Sequence, residues 1–193
     1  IAIGRLPIST LEQANDMVQK IKNYNVQQAN DSEYAMCSNG ETSSVLRDWR
    51  NVVTMVSDDE DNNAYFTDIE IMAAKVNASN PEINLYKIHS DAYGQESTAV
   101  GERIEGASDA IKQQIDKGSL LVNYIGHGGE TGWAHEQILT VPTINNWANY
   151  QRLPVFMTAT CEFSRFDDHD RTSAGEYVIL NPDGGGISLF TTT

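Results

Sequence analysis

Hydrophobic residues in this chain group either into short continuous runs or at helical spacing, and the two patterns alternate. Three runs are short and rich in β-branched residues, as in buried strands: residues 49–56, 119–125 and 155–160. Runs at 83–88 and 187–191 predict two further strands. Between them, apolar residues recur every three or four positions, which predicts helices near residues 11–28, 69–76, 108–117, 142–148 and 174–180.

Polar residues, glycine and proline predict where several of these helices begin and end. Ser9 and Glu12 have the spacing of a capping box ahead of the first helix. Ser108 is expected to cap the third helix, and Gly118 to end it. Pro142 suits the first turn of the fourth helix, because its missing N–H is not needed there.

Strands that alternate with helices predict an α/β fold, with a mostly parallel sheet and helices on both faces. A chain of 193 residues is long enough for one core of ordinary size. Residues 1–193 are therefore expected to form one domain. We interpret the sequence as an excerpt of a longer chain that stops before its domain is complete, since it begins at Ile1 and ends just after a strand.

The charge balance excludes some partners. The 27 acidic residues outnumber the 13 basic ones, for a net charge of −14, and no basic stripe offers a nucleic-acid surface. Basic peptides and metal cations would be attracted, although high acidity also serves solubility alone. The two cysteines, Cys37 and Cys161, form no Cys-x-x-Cys pair, so neither a structural zinc site nor a disulfide scaffold is predicted.

Reactive side chains follow two of the predicted strands. Glycines flank His127 in the sequence Gly-His-Gly-Gly, which opens the imidazole to a substrate. Cys161 ends the strand that comes next along the chain. Parallel strands lie about 4.8 Å apart and react at their carboxyl ends, so the two side chains can meet as a Cys–His acyl-transfer pair. Taken alone, Cys161 would be interpreted as a small core residue.

An acidic loop, residues 58–61, follows the first buried strand and has three interpretations. One carboxylate could orient His127, the group could bind calcium through its oxygens, or the loop could be a solvated turn. Its spacing is not that of an EF-hand. His89, His135 and His169 form no metal-binding spacing, so no metal ligand is assigned.

An ordered set of motifs resembles the gingipain family of caspase-like cysteine peptidases along most of the chain. Histidine precedes cysteine, as in that family, and the set is more specific than Gly-His-Gly alone. The matching segments are residues 3–7, 58–63, 124–129, 158–163, 165–168, 171–176 and 187–190. Within the family they are most similar to the C-terminal signal peptidases, or sortases, of type IX secretion systems.

The resemblance implies a caspase-like three-layer sandwich and a set of site residues. His127 would be the catalytic histidine and Cys161 the nucleophile, with the backbone N–H groups of Gly128 and Cys161 as the oxyanion hole. Asp59 and Asp61 are the candidates for a carboxylate that orients His127. The family often has a histidine near position 65, where this chain has Tyr65, so that histidine's role does not carry over. No cofactor is required, and calcium stays open.

The resemblance also implies a reaction and a place. A peptide or protein substrate would form a thioester on Cys161, which water or an amine on a surface glycolipid then resolves. The first hypothesis is a sortase-like peptidase at the outer membrane surface, acting with other secretion-system components. The second is a secreted gingipain-like endopeptidase. The third is a non-catalytic scaffold module in which His127 and Cys161 are structural.

Overall fold

The structure, a computed structural model, describes residues 4–26, 34–36, 42–44, 48–99 and 101–193. Cys37 lies outside the described residues. The α-helices are α1 (Leu11–Val26), α2 (Ala64–Ser79), α3 (Glu105–Lys117), α4 (Val141–Asn145) and α5 (Ala174–Leu180). Short 3-10 turns lie at Asp48–Asn51, Asp61–Asn63 and Ser90–Ala92. The strands are β1 (Tyr34–Met36), β2 (Thr42–Ser44), β3 (Val52–Ser57), β4 (Asn84–His89), β5 (Glu96–Thr98), β6 (Gly101–Arg103), β7 (Leu121–Ile125), β8 (Gly128–Gly129), β9 (Gly132–Trp133), β10 (Leu139–Thr140), β11 (Val155–Ala159) and β12 (Ser188–Phe190).

Five parallel strands form the central sheet, in the order β12-β11-β7-β3-β4. From β3 the chain first adds β4 on one side, and then β7, β11 and β12 on the other. The topological switch point therefore lies between β3 and β7, which is where ligands bind in open α/β sheets.

Helices cover both faces of this sheet, which confirms the α/β sandwich predicted from the pattern. Alternate residues of β3 point to opposite sides. Val53 and Met55 pack with Ile69 and Ala73 of α2. Val56 packs on the other face, in a larger core cluster with side chains of α1, α3, α4 and α5. None of the described helices has the length and apolarity needed to cross a bilayer.

Some element ends differ from the sequence prediction. The cap of α1 is Thr10 rather than Ser9: its Oγ1 accepts the Gln13 N–H at 3.1 Å, and Gln13 Oε1 accepts the Thr10 N–H at 3.2 Å. The capping box is thus one residue later than the Ser9–Glu12 spacing indicated. Helix α3 begins at Glu105, so Ser108 lies within its first turn instead of capping it. Gly118 does end α3, with a φ of 97° that favours glycine.

Lys20 connects α1 to the far end of the chain. Its side chain is 1% exposed, and its Nζ donates to the carbonyl oxygens of Ile179 at 2.9 Å and Gly184 at 2.7 Å. Burial lowers the pKa of Lys20 to about 8, while the nearby charge of Asp16 acts in the opposite direction. The charged amine is therefore held in the core by two carbonyl acceptors.

Candidate active site

The backbone of His127 is fixed on both sides just beyond the end of β7. Its N–H donates to Asp58 Oδ2 at 2.8 Å, and its carbonyl accepts the Tyr124 hydroxyl at 2.5 Å. A side chain on Gly126 would place its Cβ 2.4 Å from Asp58 Cβ and 2.5 Å from the Tyr124 hydroxyl oxygen. Glycine is therefore required at 126 because the groups that hold His127 occupy the space.

The imidazole of His127 contacts a carboxylate and a phenol. Nε2 lies 3.1 Å from Asp61 Oδ2 and 3.3 Å from the Tyr65 hydroxyl, which itself donates to Asp61 Oδ2 at 2.6 Å. The hydrogen bond from Tyr65, and then the nearby His127, hold the pKa of Asp61 below its usual value. The same bond to Asp61 raises the pKa of Tyr65 to about 12, so it stays a neutral donor.

Left-handed backbone positions bring Asp61 and Tyr65 to the histidine. Asp61, Asn62 and Asn63 have φ values of 58°, 53° and 63° in the turn that joins β3 to α2. Asp and Asn adopt this region more readily than other non-glycine residues. The acidic and amide composition after β3 thus produces a tight turn that starts α2 with Tyr65 next to His127.

A second histidine stacks on the first. The rings of His127 and His135 are 5.3 Å apart with an interplanar angle of 12°. Glu60 bridges the two rings at their edges, with one oxygen 3.2 Å from His135 Nδ1 and the other 3.8 Å from His127 Nε2. The hydrogen bond with Glu60 raises the pKa of His135. The spacing of His135 along the chain does not link it to another possible ligand, so the sequence does not indicate this contact.

Cys161 lies just beyond the end of β11, in the position that corresponds to that of His127 beyond β7. Ala159 pairs with Ile125 in the parallel register, so Cys161 and His127 each lie two residues beyond a paired residue. The Gly126 N–H donates to the Ala159 carbonyl at 3.3 Å and keeps the strand ends together. Among the described residues, Cys161 is a free and exposed cysteine.

Two backbone segments run side by side next to this pair. A Cβ on Gly128 would lie 2.5 Å from Thr160 Oγ1 and 2.9 Å from the Gly132 carbonyl oxygen. The chain turns sharply after Cys161, where Glu162 has a φ of 49°. Gly128 and Cys161, the two predicted oxyanion-hole residues, thus belong to adjacent segments.

The loops after His127 and after Cys161 are tied together by Glu130. This carboxylate, only 10% exposed, accepts from Arg165 at 2.8 Å and lies 3.2 Å from Arg171. The backbone carbonyl of Glu130 accepts the Ala174 N–H at 2.7 Å, at the start of α5. Helix α5 is itself begun by a capping box between Ser173 and Glu176.

Asp59, the other candidate for orienting His127, lies in a different group. Among the described contacts it has no hydrogen bond to His127. Its carboxylate lies with those of Asp58 and Glu136, and their ligand atoms are all within 4.8 Å of one another. Burial raises the pKa of both Asp58 and Glu136. Glu136 was missed from the sequence, because it lies on a turn between two very short strands with no periodic signal.

A cleft of about 620 Å³ opens beside Gly128 and Gly129, the two residues that follow His127. It is formed by β8, β9 and β10, which pair as a small antiparallel sheet, and by the start of α4. Trp133, Leu139, Val141 and Pro142 give it apolar walls, and His135 lies at its edge. Its volume is within the range of ligand-binding clefts in proteins, which are mostly lined by apolar side chains.

Comparison with known families and structures agrees with this arrangement. The sequence profile of Peptidase family C25 matches residues 1–193. No curated protein matches the chain.

Solved structures share the fold at low identity. The Arg-specific cysteine proteinase gingipain R (RgpB) has a TM-score of 0.69 and 15% identity, covering 97% of this chain and 38% of its own. The complex of Porphyromonas gingivalis RgpB pro- and mature domains has a TM-score of 0.70 and 14% identity, covering 98% of this chain and 40% of its own. A further structure, described only as a protease, has a TM-score of 0.67 and 16% identity, covering 95% and 34%. The chain therefore spans about two fifths or less of these proteins.

Proposed function

Because the chain belongs to Peptidase family C25, a family of cysteine-type peptidases, we propose that it cleaves peptide bonds with Cys161 as nucleophile and His127 as acid and base. One observation carries the proposal. The register of β7 and β11 gives His127 and Cys161 equivalent positions at the ends of neighbouring strands, beside the switch point of the sheet.

The proposed reaction has two steps. The Cys161 thiolate attacks the carbonyl carbon, and the N–H groups of Gly128 and Cys161 stabilise the oxyanion. When the tetrahedral intermediate collapses, the C–N bond breaks, His127 gives its proton to the leaving amine, and a thioester remains. In the second step His127 takes a proton from water, the water oxygen attacks the thioester, and the acid product leaves Cys161 free.

Asp61 would set the orientation of the imidazole in both steps. Its carboxylate engages Nε2, so Nδ1 is the nitrogen that exchanges protons with the reacting groups. An ionised Asp61 also stabilises the imidazolium that forms when the thiol is deprotonated. Tyr65 supports this arrangement by donating to the same carboxylate oxygen.

The test is the rate at which an alkylating reagent modifies Cys161 as a function of pH, in the full-length protein and in His127→Ala. Cys37 provides an internal control in the same sample. A thiolate activated by His127 is expected to react fast below about pH 7, and to lose that rate in the variant. Cys161→Ala should abolish peptidase activity. An ordinary alkylation rate that is the same with and without His127, together with no peptidase activity in the wild type, would support the scaffold hypothesis instead.

At a finer level, the protein acts as a sortase-like signal peptidase of the PorU type. It would remove the C-terminal domains of type IX secreted cargo at the outer membrane surface and work with other secretion components. The support is the set of segments around residues 58–63, 124–129 and 158–163 that resemble these enzymes. The second candidate is a secreted endopeptidase of gingipain type, because solved gingipain structures share the fold.

The product formed from the thioester distinguishes the sortase-like peptidase from the secreted endopeptidase. Cargo ending in its C-terminal domain is incubated with the full-length enzyme and an amine nucleophile, and the products are identified by mass spectrometry. A sortase-like enzyme should transfer the new carboxyl end to the amine, as it would to a surface glycolipid. An endopeptidase should give only the free acid and should also cut unrelated peptides.

A further inference from the structure

One buried hydroxyl group among the described residues has no hydrogen bond, and it belongs to the residue that precedes Cys161. Thr160 is 6% exposed, and its Oγ1 is buried without a hydrogen-bond partner. The other buried serine and threonine hydroxyls in the described part of the chain all have partners: Thr54, Ser57, Ser90, Ser119, Thr158 and Ser173. A hydroxyl that is buried and unpaired costs stability, so this exception needs a physical reason.

Thr158, two residues earlier on β11, shows how a buried threonine is usually accommodated in this fold. It is 4% exposed, and its Oγ1 donates to Thr191 Oγ1 at 2.6 Å. Both threonines are therefore almost fully buried at the same end of one strand, and only Thr158 has a hydrogen bond. The difference between them lies in what each hydroxyl contacts.

The Thr160 side chain contacts Gly128 across the gap between two strand ends. A Cβ added to Gly128 would lie 2.5 Å from Thr160 Oγ1 and 3.5 Å from Thr160 Cβ, so the hydroxyl oxygen is the atom nearest to this face of Gly128. An oxygen can stay this close to a Cα–H, with which it makes a weak hydrogen bond, whereas the larger methyl group of valine would crowd it. The close approach of Gly128 thus accounts for a hydroxyl at a position that offers it no ordinary partner.

Thr160 also connects the two predicted donors of the oxyanion hole. The Cys161 N–H belongs to the same planar peptide group as the Thr160 carbonyl, and this carbonyl accepts the Thr192 hydroxyl, which fixes the peptide plane. The Thr160 side chain contacts Gly128, whose N–H is the other predicted donor. The separation of the two donors therefore depends on the distance at which Thr160 holds Gly128.

We propose that Thr160 is a positioning residue, which sets the separation of the Gly128 and Cys161 N–H groups through the contact of its hydroxyl with Gly128. This inference rests on the proposed peptidase function and adds to it a residue that acts through its neighbours. Two donors stabilise an oxyanion only when both point to the place where its charge develops. A small displacement of Gly128 should therefore slow the chemical step while substrate binding changes little.

Steady-state kinetics of the full-length protein on one peptide tests this role. Thr160→Val replaces the oxygen with a methyl group and should lower kcat by about 10- to 100-fold with KM little changed. Thr160→Ser keeps the oxygen, so its kcat should stay within a few-fold of the wild type. Thr158→Val is the matched control: it loses a paired hydroxyl, should lower the melting temperature by a few degrees, and should keep kcat within a few-fold.

Alkylation of Cys161 by iodoacetamide distinguishes an effect on the oxyanion hole from an effect on the Cys–His pair. The reagent reacts at a saturated carbon and forms no oxyanion, so Thr160→Val should be alkylated at the wild-type rate. If Thr160→Val does not fold, Thr160→Ala replaces it, because it removes the contact instead of crowding it and should also lower kcat relative to Thr160→Ser.

Two results would overturn the role of Thr160 in a wild type that has peptidase activity. One is a wild-type kcat in the variant without the hydroxyl, and the other is a loss of kcat matched by an equal loss of alkylation rate. A wild type without peptidase activity would refute the proposed function itself, and the role of Thr160 with it.

Discussion

The glycines around His127 serve different purposes, although the motif reads as one unit. At Gly126 and Gly128 the space for a side chain is taken by Asp58, Tyr124 and Thr160. At Gly129 nothing lies within 4 Å of an added Cβ. The close approach of these side chains, and at Gly128 also of the Gly132 carbonyl, is therefore what requires glycine at 126 and 128, rather than an unusual dihedral angle.

This difference gives a matched pair of variants. Gly128→Ala should push residue 128 away from Thr160, displace its N–H from the oxyanion, and lower kcat by about 100-fold. Gly129→Ala should keep kcat within a few-fold of the wild type. Steady-state kinetics on one peptide gives kcat for both variants, and circular dichroism verifies that both are folded. Equal losses in both variants would contradict a specific role for the Gly128 N–H.

The carboxylate of Asp61 can be tested in the same way. Asp61→Asn should lower kcat by about 10- to 100-fold with KM little changed, because the imidazole loses its negative partner. The loss is expected to be smaller than for a buried carboxylate, since the Asp61 side chain is 55% exposed. Asp68→Asn, exposed on α2, is the control and should have wild-type kinetics. A wild-type kcat in Asp61→Asn would assign the orientation of His127 to its other contacts.

At the residue scale, the sequence predicted the positions of the side chains that directly follow strands. His127, Cys161 and the acidic loop could be placed at one edge of the sheet because strand order and direction limit where they lie. It could not choose between Asp59 and Asp61, since that choice depends on the left-handed turn at residues 61–63. The sequence indicated neither Glu136 nor the stacking of His135 on His127, because the turn that places them, with left-handed Ala134 and Gln137, has no hydrophobic period.

Among the elements, α1 is held by one buried ammonium. The pKa of Lys20 falls from 10.5 in the unfolded chain to about 8 in the fold. Between these values the unfolded state binds more protons, so the free energy of unfolding should rise with pH, by about 3 kcal/mol in total. Below about pH 8 both states are protonated, and this contribution is constant.

The rise of the free energy of unfolding with pH should be absent in Lys20→Met. Urea unfolding at several values between pH 7 and 10.5 measures it, and Lys22→Met, exposed on the same helix, should behave as the wild type does. Only the difference between variants is used, because tyrosines such as Tyr124 also titrate differently in the two states. Parallel curves for wild type and Lys20→Met would show that Lys20 is not desolvated.

The strands of the central sheet were predictable, whereas the small hairpins were not. Strand β3 has a nearly continuous run of buried residues, which the apolar pattern records. The strand predicted at residues 49–56 begins three residues before β3 does, because Trp49 is buried in a 3-10 turn rather than in the strand. Strand β5 is exposed along its whole length, so hydrogen bonding to β6 forms it without any hydrophobic signal.

For the molecule as a whole, the net charge of −14 should influence encounter with substrate. For two peptides with the same scissile bond, flanked by lysines or by glutamates, kcat/KM should respond to salt in opposite directions. Raising NaCl from about 20 mM to about 500 mM should lower it several-fold for the lysine peptide and raise it for the glutamate peptide. The same response for both peptides would show that the field of the protein has no influence at the site.

The carbonyl acceptors of Lys20 lie 159 and 164 residues further along the chain. A ribosome adding about 5–20 residues per second delivers them roughly 8–30 s after Lys20. Until then the first helix has no surface on which to bury its amine. Helix α1 is therefore among the last of the described helices to dock, and a nascent chain stalled before Gly184 would still expose it to proteolysis.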